Sequence, residues 1–275
     1  MTNHIAFQGA LGAYSHAACE AARPDMTPLP CANFEDVIEA VRSGAADLAM
    51  LPVENSTYGR VADIHRLLPE SGLHIIDESF TRVRISLMAL PGVTLDEIKT
   101  ARAHLVLLPQ ARSFLDQHNI RAVSAVDSAG AAAELAGSAD RSSAVLASAL
   151  AADIYDLNIL ARDIEDHQHN TTRFLVMARD ADLAVRGDTM MTTFVFQVRN
   201  IPAALYKAMG GFATNGVNMT KLESYMVNGS FTATQFYADI QGHPEDANVK
   251  LAMDELSYFS SMVKILGVYP ADKSR

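Results

Sequence analysis

The sequence has few cysteines: Cys19 and Cys31 are the two present in 275 residues. Two thiols are too few for a disulfide scaffold or a four-thiolate zinc site. Neither cysteine has a plausible activating partner nearby in the sequence, and Cys19 falls within an alanine-rich helical pattern. We therefore do not expect a catalytic or redox cysteine.

Basic residues and long apolar runs are also scarce. Lys and Arg total 22 against 32 Asp and Glu, which gives a net charge of -10. Nucleic acid and anionic membranes require a basic stripe, and the sequence has none. No apolar run approaches the roughly 18 residues of a membrane span, and the first residues lead directly into a strand-like segment without a signal peptide. We expect a cytoplasmic protein that binds neither nucleic acid nor membrane.

The length corresponds to roughly two domains at about 150 residues each. Residues 1–178 alternate β-rich runs with helical patterns, which predicts a mostly parallel sheet with helices on its faces. The predicted strands are His4–Gln8, Asp47–Leu51, Leu73–Asp77, Ile85–Ala89, Ala103–Leu108, Ala122–Val126, Ser143–Leu146, Asn158–Ala161 and Thr171–Met177. The predicted helices are Tyr14–Ala22, Phe34–Ser43, Val61–Leu68, Pro109–His118 and Ser128–Gly137. We interpret this region as two lobes around a cleft, one formed by residues 1–78 with 163–178 and the other by residues 79–162.

A charged stretch, Arg179–Asp188, separates this region from residues 190–275, where the pattern changes. The order there is strand, helix, strand, strand, helix, strand, which predicts an α+β ferredoxin-like βαββαβ domain. Asn228-Gly229 between two alternating runs predicts a hairpin turn, because a type I′ turn needs two residues with positive φ. The predicted elements are Thr192–Val198, Pro202–Asn215, Val217–Val227, Ser230–Ile240, Pro244–Leu256 and Ser261–Tyr269.

Four polar segments follow strand ends in residues 1–178. They are Gly9–His16, Pro52–Ser56, Asp127–Ala132 and Thr172–Phe174. Their order and spacing resemble the prephenate dehydratases, which carry a glycine-rich opening ending in aromatic-Ser-His, a Pro-x-Glu-Asn-Ser segment, an Asp-Thr/Ser-Ala-Gly-Ala-Ala turn and a Thr-Arg-Phe signature. Residues 190–275 resemble the ACT regulatory domain of that family. The resemblance implies an α/β, two-lobed, periplasmic-binding-protein-like catalytic domain followed by an ACT domain.

The resemblance also implies a reaction. Prephenate would lose carbon dioxide and water to give phenylpyruvate, and aromatisation would drive the step without a cofactor or metal. Thr172 would donate to the departing hydroxyl, and Arg173 would clamp a carboxylate through its planar fork. Adjacent strand residues point to opposite faces, so both can serve one cleft only if the chain is irregular there or the cleft lies across the strand end. From the local sequence alone, an ordinary strand threonine and a solvated strand arginine are the favoured explanations. The complete set of motifs reverses that judgement for Thr172.

Further residues are implied as substrate contacts. The turn around Gly9, with its backbone N–H groups and the start of a helix, suits an anion. A structural role is favoured for Glu54, because its carboxylate would repel a dianion, and Ser128 is also a candidate helix N-cap. The substrate-binding residues implied by the resemblance are Gly9, Ala13, Tyr14, Ser15, Asn55, Ser56, Ser128 and Phe174. For Phe174, packing beneath the site and an ordinary core position are equally good explanations.

The family pattern is not complete in this chain. The segment that reads Ser-His-Pro-Gln-Ala-Leu in the family reads Leu107–Arg112 here, so its Ser-His pair is missing. In the regulatory domain, Ala203 replaces a glycine and Tyr225 replaces an arginine. The resemblance still implies L-phenylalanine as an effector, shared between subunits of a homodimer or homotetramer. The implied effector-binding residues are Ala204, Leu205, Asn218, Met219, Glu223 and Ser224.

Three alternatives remain open at this point. Arogenate dehydratase would carry out the same chemistry on a substrate with an amino group in place of the keto oxygen. A non-catalytic sensor could close two lobes on a metabolite. His167 and His169, with nearby carboxylates, could bind zinc or iron, although a solvated polar connection is the more ordinary explanation.

Overall fold

The structure is a computed structural model that describes residues 2–167, 169–226 and 233–275. Within these ranges it contains fifteen strands and eight α-helices. The strands are β1 (His4–Gln8), β2 (Thr27–Cys31), β3 (Leu48–Asn55), β4 (Gly59–Arg60), β5 (His74–Arg82), β6 (Ser86–Ala89), β7 (Thr100–His104), β8 (Arg121–Ala125), β9 (Ser143–Ala147), β10 (Asn158–Ala161), β11 (Thr171–Ala178), β12 (Met190–Val198), β13 (Met219–Met226), β14 (Ala233–Gln241) and β15 (Ser260–Pro270). The helices are α1 (Tyr14–Ala22), α2 (Phe34–Ser43), α3 (Ala62–Leu67), α4 (Arg112–Gln117), α5 (Ser128–Ala136), α6 (Ala149–Tyr155), α7 (Ala204–Thr214) and α8 (Ala247–Phe259).

The chain divides into two compact units. Unit 1 combines residues 1–61 with 79–174, and unit 2 combines residues 62–78 with 175–275. The predicted lobe boundaries placed residues 62–78 with residues 1–61. In the structure, residues 62–78 belong to unit 2 instead. They group with unit 2 because β5 pairs in parallel with β15 at Ile75 and Gly267, and because Lys264 Nζ donates to Pro69 O at 2.6 Å.

The first lobe of unit 1 is a sheet in the order β11-β3-β1-β2, with β1 parallel to both β2 and β3. Ile5, Phe7 and Met50 are fully buried in it. Both α1 and α2 begin and end at the predicted residues. Asn33 caps α2 by accepting from the Asp36 N–H at 2.8 Å, so a local hydrogen bond explains why the start of this helix is predictable.

The second lobe of unit 1 is a five-stranded sheet in the order β10-β6-β9-β7-β8. The strand β7 runs parallel to β8 and β9, whereas β6 runs antiparallel to β9 and β10. Its core includes Leu87, Ala101 and Leu146, all fully buried. The sequence predicts a strand at Ala103–Leu108, but β7 ends at His104 and a 3-10 turn follows before α4, so this strand prediction was wrong by several residues.

The two lobes of unit 1 approach closely at Gly12. This residue has φ +87, and a Cβ there would lie 2.7 Å from the Ala151 Cα. The Ser148 hydroxyl donates to Gly12 O at 2.6 Å, and the Tyr155 hydroxyl donates to Leu11 O at 2.9 Å. Glycine is therefore required at this position both for its backbone conformation and for the close approach of the second lobe.

Unit 2 contains the predicted βαββαβ order as β12, α7, β13, β14, α8 and β15. Its sheet order is β13-β14-β12-β15, with antiparallel neighbours throughout, and both helices pack on one core that includes Phe194, Phe196, Phe212 and Leu256. The Asn228-Gly229 turn predicted between β13 and β14 lies outside the described residues. In the ranges that the structure describes, no helix is both long and apolar enough to cross a membrane.

Ala203, which precedes α7, has φ 62 and ψ 11. This left-handed conformation brings the Cβ of an L-residue close to its own carbonyl oxygen, at a cost of roughly 1–2 kcal/mol. A family pattern with glycine at this position is therefore explained by the backbone, and this chain retains the conformation with an alanine.

We expect Ala203→Gly to raise the free energy of unfolding by about 1 kcal/mol, because relief of the left-handed strain exceeds the added entropy of the unfolded chain. Chemical denaturation measures the change. The matched control is Ala204→Gly at the first residue of α7, which should lower stability by up to about 1 kcal/mol. If both variants lowered the free energy of unfolding by the same amount, Ala203 would not be strained.

Candidate active site

A cavity of about 440 Å³ opens between the two sheets of unit 1. Its volume lies within the range of ordinary small-molecule sites. The walls come from the glycine turn and the start of α1, the end of β3 with β4, the segment after β7, the start of α5, and residues 170 and 172. Six of the implied substrate contacts line it: Gly9, Ala13, Tyr14, Ser15, Asn55 and Ser128.

Thr172 lines the cavity, and its hydroxyl oxygen accepts a hydrogen bond from Asn55 Nδ2 at 3.0 Å. The same Asn55 amide donates to Asn170 Oδ1 at 2.6 Å. The Asn55 Oδ1 in turn accepts from the backbone N–H groups of Thr57 at 2.9 Å and Tyr58 at 3.0 Å. Backbone N–H groups can only donate, so the orientation of the Asn55 amide is fixed.

The other end of this chain of amides is also anchored on the backbone. Gln110 Nε2 donates to Val106 O at 2.8 Å, and a carbonyl oxygen can only accept. Gln110 Oε1 therefore accepts from Asn170 Nδ2, and Asn170 Oδ1 faces Asn55 as an acceptor. Both anchors give the same polarity, with the Asn55 amide donating to Thr172.

This polarity determines what the Thr172 hydroxyl can do. Its oxygen receives the Asn55 proton, so its own proton must point elsewhere. Within the described parts of the chain, no protein acceptor takes that proton. The Thr172 side chain is therefore oriented to donate to a molecule in the cavity.

Arg173 does not reach the cavity. Its side chain is 2% exposed, and Nη1 donates to Glu54 Oε1 at 2.8 Å. The alternation of side chains along β11 turns Thr172 towards the cavity and Arg173 away from it. The geometry corrects the predicted carboxylate clamp: Arg173 is the buried partner of Glu54, which explains how a glutamate is tolerated beside the site.

Ser56 and Phe174 are also placed differently from their prediction. The Ser56 hydroxyl donates to His169 O at 2.8 Å and accepts from the Thr171 N–H at 2.9 Å, which ties the end of β3 to β11. Phe174 is 1% exposed and belongs to the core. Neither is among the residues that line the cavity in the described chain. Both therefore support the strand that carries Thr172.

Ser128 lines the cavity but does not cap its helix. Asp127 is the N-cap of α5 and accepts from the Gly130 N–H at 2.5 Å, so the predicted N-cap is wrong by one residue. The Ser128 oxygen instead accepts from the His104 N–H at 3.0 Å. Its hydroxyl proton therefore points away from that bond.

The glycine turn contributes fewer backbone donors than its composition predicts. The Gly9 N–H donates to Cys31 O at 3.0 Å, and the Gly12 N–H donates to His16 Nδ1 at 2.9 Å. Burial lowers the pKa of His16, although nearby Glu20 opposes the shift. The neutral His16 thus stabilises the turn, and the start of α1 is the part of the turn left to face an anion.

Tyr14 is not suited to proton transfer. Its hydroxyl donates to Arg84 O at 2.9 Å. Burial, with a smaller contribution from the Glu165 charge, raises its pKa far above the ordinary tyrosine value. Tyr14 therefore contributes a neutral aromatic surface at the cavity.

Sequence reasoning missed several residues of the site, among them Gln110, Asn170, Arg60 and His104. Gln110 lies within a motif segment and Asn170 lies just before another, but their roles depend on a contact between residues 60 positions apart in the chain. Arg60 and His104 also line the cavity and received no role. The sequence did offer an indication for Arg60, because it is the last residue of the polar segment that begins at Glu54.

The metal hypothesis on His167 and His169 finds no support in the described geometry. Among the residues that the structure describes, no three His, Cys, Asp or Glu side chains gather in a way that could hold a metal ion. Residue 168 lies outside this description.

The effector candidates lie in unit 2. Ala204 and Leu205 begin α7, and Met219 begins β13 beside the core. Asn218 Nδ2 donates to Gln241 Oε1 at 3.0 Å. Glu223 and Ser224 lie further along β13, where Glu223 pairs with Lys221 at 3.4 Å. These residues form two groups, one at the start of α7 and of β13 and the other along β13.

Comparisons with known proteins identify the family of the chain. The family model for prephenate dehydratase matches residues 5–182. A bifunctional N-acyl-homoserine lactone acylase/prephenate dehydratase from Komagataeibacter europaeus is 51% identical over 272 residues, which cover 98% of this chain and 97% of that protein. Arogenate dehydratase/prephenate dehydratase 1 of Arabidopsis thaliana is 35% identical over 285 residues, which cover 98% of this chain and 73% of that protein.

Two solved structures have the same fold. A prephenate dehydratase from Arthrobacter aurescens in complex with L-Phe has a TM-score of 0.88 at 33% identity, and covers 97% of this chain and 89% of its own. A structure described as a novel type of quorum-quenching acylase has a TM-score of 0.94 at 50% identity, with 99% of both chains covered. The chain therefore belongs to the prephenate dehydratase family, and its enzymatic class is that of a hydro-lyase.

Proposed function

We propose that the chain converts prephenate to phenylpyruvate in its unit 1 cavity, as a step of L-phenylalanine biosynthesis. The ring carboxylate leaves as carbon dioxide, and the electron pair of the broken bond enters the ring. The ring hydroxyl leaves with one added proton as water. Aromatisation supplies the driving force, so the protein must orient a dianion and provide that proton.

Thr172 is the proposed proton donor. The amide chain from Gln110 through Asn170 to Asn55 leaves its hydroxyl proton directed away from the protein acceptors. This fixed polarity is the observation that carries the proposal. A threonine is a weak acid, but hydroxide is a strongly basic leaving group, and solvent restores the proton after each turnover.

Other groups around the cavity orient the dianion. The start of α1, at Tyr14 and Ser15, presents backbone N–H groups and the positive end of the helix dipole. Ser128 adds a hydroxyl whose oxygen is held by the His104 N–H. The backbone N–H groups and the Ser128 hydroxyl do not ionise near pH 7. They can therefore donate hydrogen bonds to an anion without losing a proton to it.

We expect Thr172→Val to lower kcat by roughly 10²-fold or more, because the variant keeps the shape of the side chain and removes the donor. Thr172→Ser keeps the hydroxyl and should remain within roughly tenfold of the wild type. Spectroscopic detection of phenylpyruvate measures both. Circular dichroism and product binding serve as controls for folding.

Wild-type turnover by Thr172→Val would show that another group protonates the leaving hydroxyl. The same assay after EDTA treatment tests the metal alternative. A complete loss of activity that added metal restores would assign the step to a metal centre instead.

Prephenate is the preferred substrate in this proposal. One of the relatives named above is described as an arogenate dehydratase/prephenate dehydratase. Paired kcat/KM values for the two substrates decide the preference. A ratio in favour of arogenate would keep the reaction type and change the substrate.

Hydrolysis of N-acyl homoserine lactones is a second candidate function. It is favoured by the 51% identity to a bifunctional acylase/dehydratase over nearly the whole chain. We expect release of free fatty acid and homoserine lactone, measured by mass spectrometry across acyl lengths. If Thr172→Val lowers both the acylase and the dehydratase activity, the two activities share the cavity. If no N-acyl homoserine lactone is hydrolysed, the acylase function is refuted and the dehydratase proposal is unaffected.

We also propose the domain roles. Residues 1–178 act as the catalytic domain, and residues 190–275 as an ACT regulatory domain that binds L-phenylalanine and assembles the chain into a homodimer or homotetramer. The βαββαβ order of unit 2 and the L-Phe complex of a 33% identical relative support this. The protein is proposed to act in the cytoplasm, since Cys19 and Cys31 are both free thiols.

L-phenylalanine should bind and inhibit the enzyme. Asn218→Ala should weaken this binding, because Asn218 lies at the start of the strand proposed to hold the effector. Asn215→Ala, which removes an amide bonded to Gly211 O, is the matched control. Calorimetry measures phenylalanine binding, activity assays measure inhibition, and sedimentation measures self-association. A protein that self-associates but shows neither heat of binding nor inhibition at millimolar phenylalanine would have a domain that serves assembly only.

A further inference from the structure

The His104 side chain lines the cavity and takes no part in the mechanism described so far. It ends β7 in the second sheet of unit 1, whereas Thr172 lies in the first. The Val106 N–H donates to His104 Nδ1 at 3.3 Å. A backbone N–H can only donate, so Nδ1 is the unprotonated nitrogen and the ring proton lies on Nε2. The backbone thus makes Nε2 a hydrogen-bond donor.

Two donors are fixed together at this wall. In the described part of the chain, no protein group accepts the His104 Nε2 proton. The Ser128 oxygen accepts from the His104 backbone N–H at 3.0 Å, so the Ser128 hydroxyl proton points away from that bond. Both residues line the cavity. A carboxylate has two oxygens and suits such a pair of donors.

Val106 connects His104 to the group that orients the proposed proton donor. The Val106 carbonyl oxygen accepts from Gln110 Nε2 at 2.8 Å, at the start of the amide chain that ends on Thr172. Backbone groups therefore set the polarity of the His104 ring and of the amide chain alike. The protein holds a donor for the leaving hydroxyl and a donor for another part of the substrate in one hydrogen-bonded framework.

Asp127 is a carboxylate among the residues that line the cavity. Its Oδ1 accepts from the Gly130 N–H at 2.5 Å at the start of α5, where the positive end of the helix dipole offsets its charge. The chain as a whole carries a net charge of -10, so attraction of an anionic substrate must be local. Neutral donors directed into the cavity supply such a local attraction.

The structure of prephenate decides which group these donors meet. Its leaving hydroxyl lies at one end of the ring, and both carboxylates lie at the other end. The ring carboxylate loses its charge as carbon dioxide leaves, so donors held against it would stabilise the ground state over the transition state. The side-chain carboxylate is unchanged by the reaction and can be bound equally in both states.

We propose that His104 Nε2 and the Ser128 hydroxyl bind the side-chain carboxylate of prephenate and of its product, phenylpyruvate. The inference rests on the proposed dehydratase function. His104 is then a substrate-binding residue, and Thr172 remains the proton donor. Loss of the Nε2 donor weakens ground-state and transition-state binding equally, which raises KM and leaves kcat.

Two substitutions separate the roles of the two ring nitrogens. Asn places its amide oxygen near the position of Nδ1, so His104→Asn keeps an acceptor for Val106 and removes the Nε2 donor. Gln places its amide nitrogen near the position of Nε2, so His104→Gln keeps that donor. His104→Asn should raise the KM for prephenate about tenfold or more and change kcat less than about threefold. His104→Gln should stay within about threefold of the wild type in both constants.

His118→Asn is the matched control. His118 follows α4, packs against Phe114 with ring centroids 4.5 Å apart, and is not among the described residues that line the cavity. It should leave both constants unchanged, and circular dichroism checks the fold of each variant. A wild-type KM in His104→Asn with an impaired His104→Gln would assign His104 a structural role only and overturn the inference. A fall in kcat without a rise in KM would overturn it as well.

Calorimetry with phenylpyruvate separates this inference from the proposed function. The product keeps the side-chain carboxylate, so His104→Asn and Ser128→Ala should each raise its Kd about tenfold, while His118→Asn leaves it unchanged. 3-Phenylpropanoate, which lacks the keto oxygen, should show the same losses; a loss confined to phenylpyruvate would assign the keto oxygen instead and refute carboxylate binding.

The two proposals fail in different ways. Phenylpyruvate binding that is insensitive to His104→Asn would refute the role of His104, whatever the turnover. Wild-type protein that binds phenylpyruvate through His104 but does not convert prephenate would refute the dehydratase proposal alone.

Discussion

The junction between the end of β3 and the start of β11 is the constraint on which the site depends. Asn55 joins the two strands by donating to both Asn170 and Thr172. Because its own carbonyl oxygen is occupied by two backbone N–H groups, the amide cannot reverse without losing hydrogen bonds. The strand junction therefore sets both the position of the Thr172 hydroxyl and the direction of its proton.

At the same junction, the charged side chain of β11 and its proposed proton donor lie on opposite faces of the strand. Alternation along β11 places a neutral hydroxyl on the cavity side and a guanidinium on the buried side. Glu54 pairs with that guanidinium, and removing one partner of a buried ion pair typically costs about 3–5 kcal/mol. The pair thus supports the strand that carries Thr172.

Local patterns in the sequence were sufficient for much of the fold. Helix α1 was predicted to the residue, and the βαββαβ order of unit 2 was confirmed. The strand β2 was missed because Pro28 and Pro30 argue against a strand, yet β2 is the last strand in its sheet order, where proline is tolerated. The short helix α6 was missed because its alanines give no clear periodicity.

The site was harder to predict than the fold because its geometry depends on distant partners. The position of Thr172 followed from a motif, but the pairing of Arg173 with a residue 119 positions away did not. Alternation within a strand already conflicted with a shared cleft for Thr172 and Arg173. The structure resolves that conflict by giving the two residues separate tasks.

Unit 2 shows how a departure from a family pattern can change a local network. Tyr225 stands where the family pattern has an arginine, and its hydroxyl lies 2.6 Å from His65 Nδ1. The His65 ring also packs edge-on against Tyr237, with ring centroids 5.0 Å apart. His65 belongs to α3, which begins directly after Val61, a residue of the cavity wall. A neutral phenol thus links β13 to the segment that follows the cavity wall, whereas an arginine would bring a permanent charge to the same position.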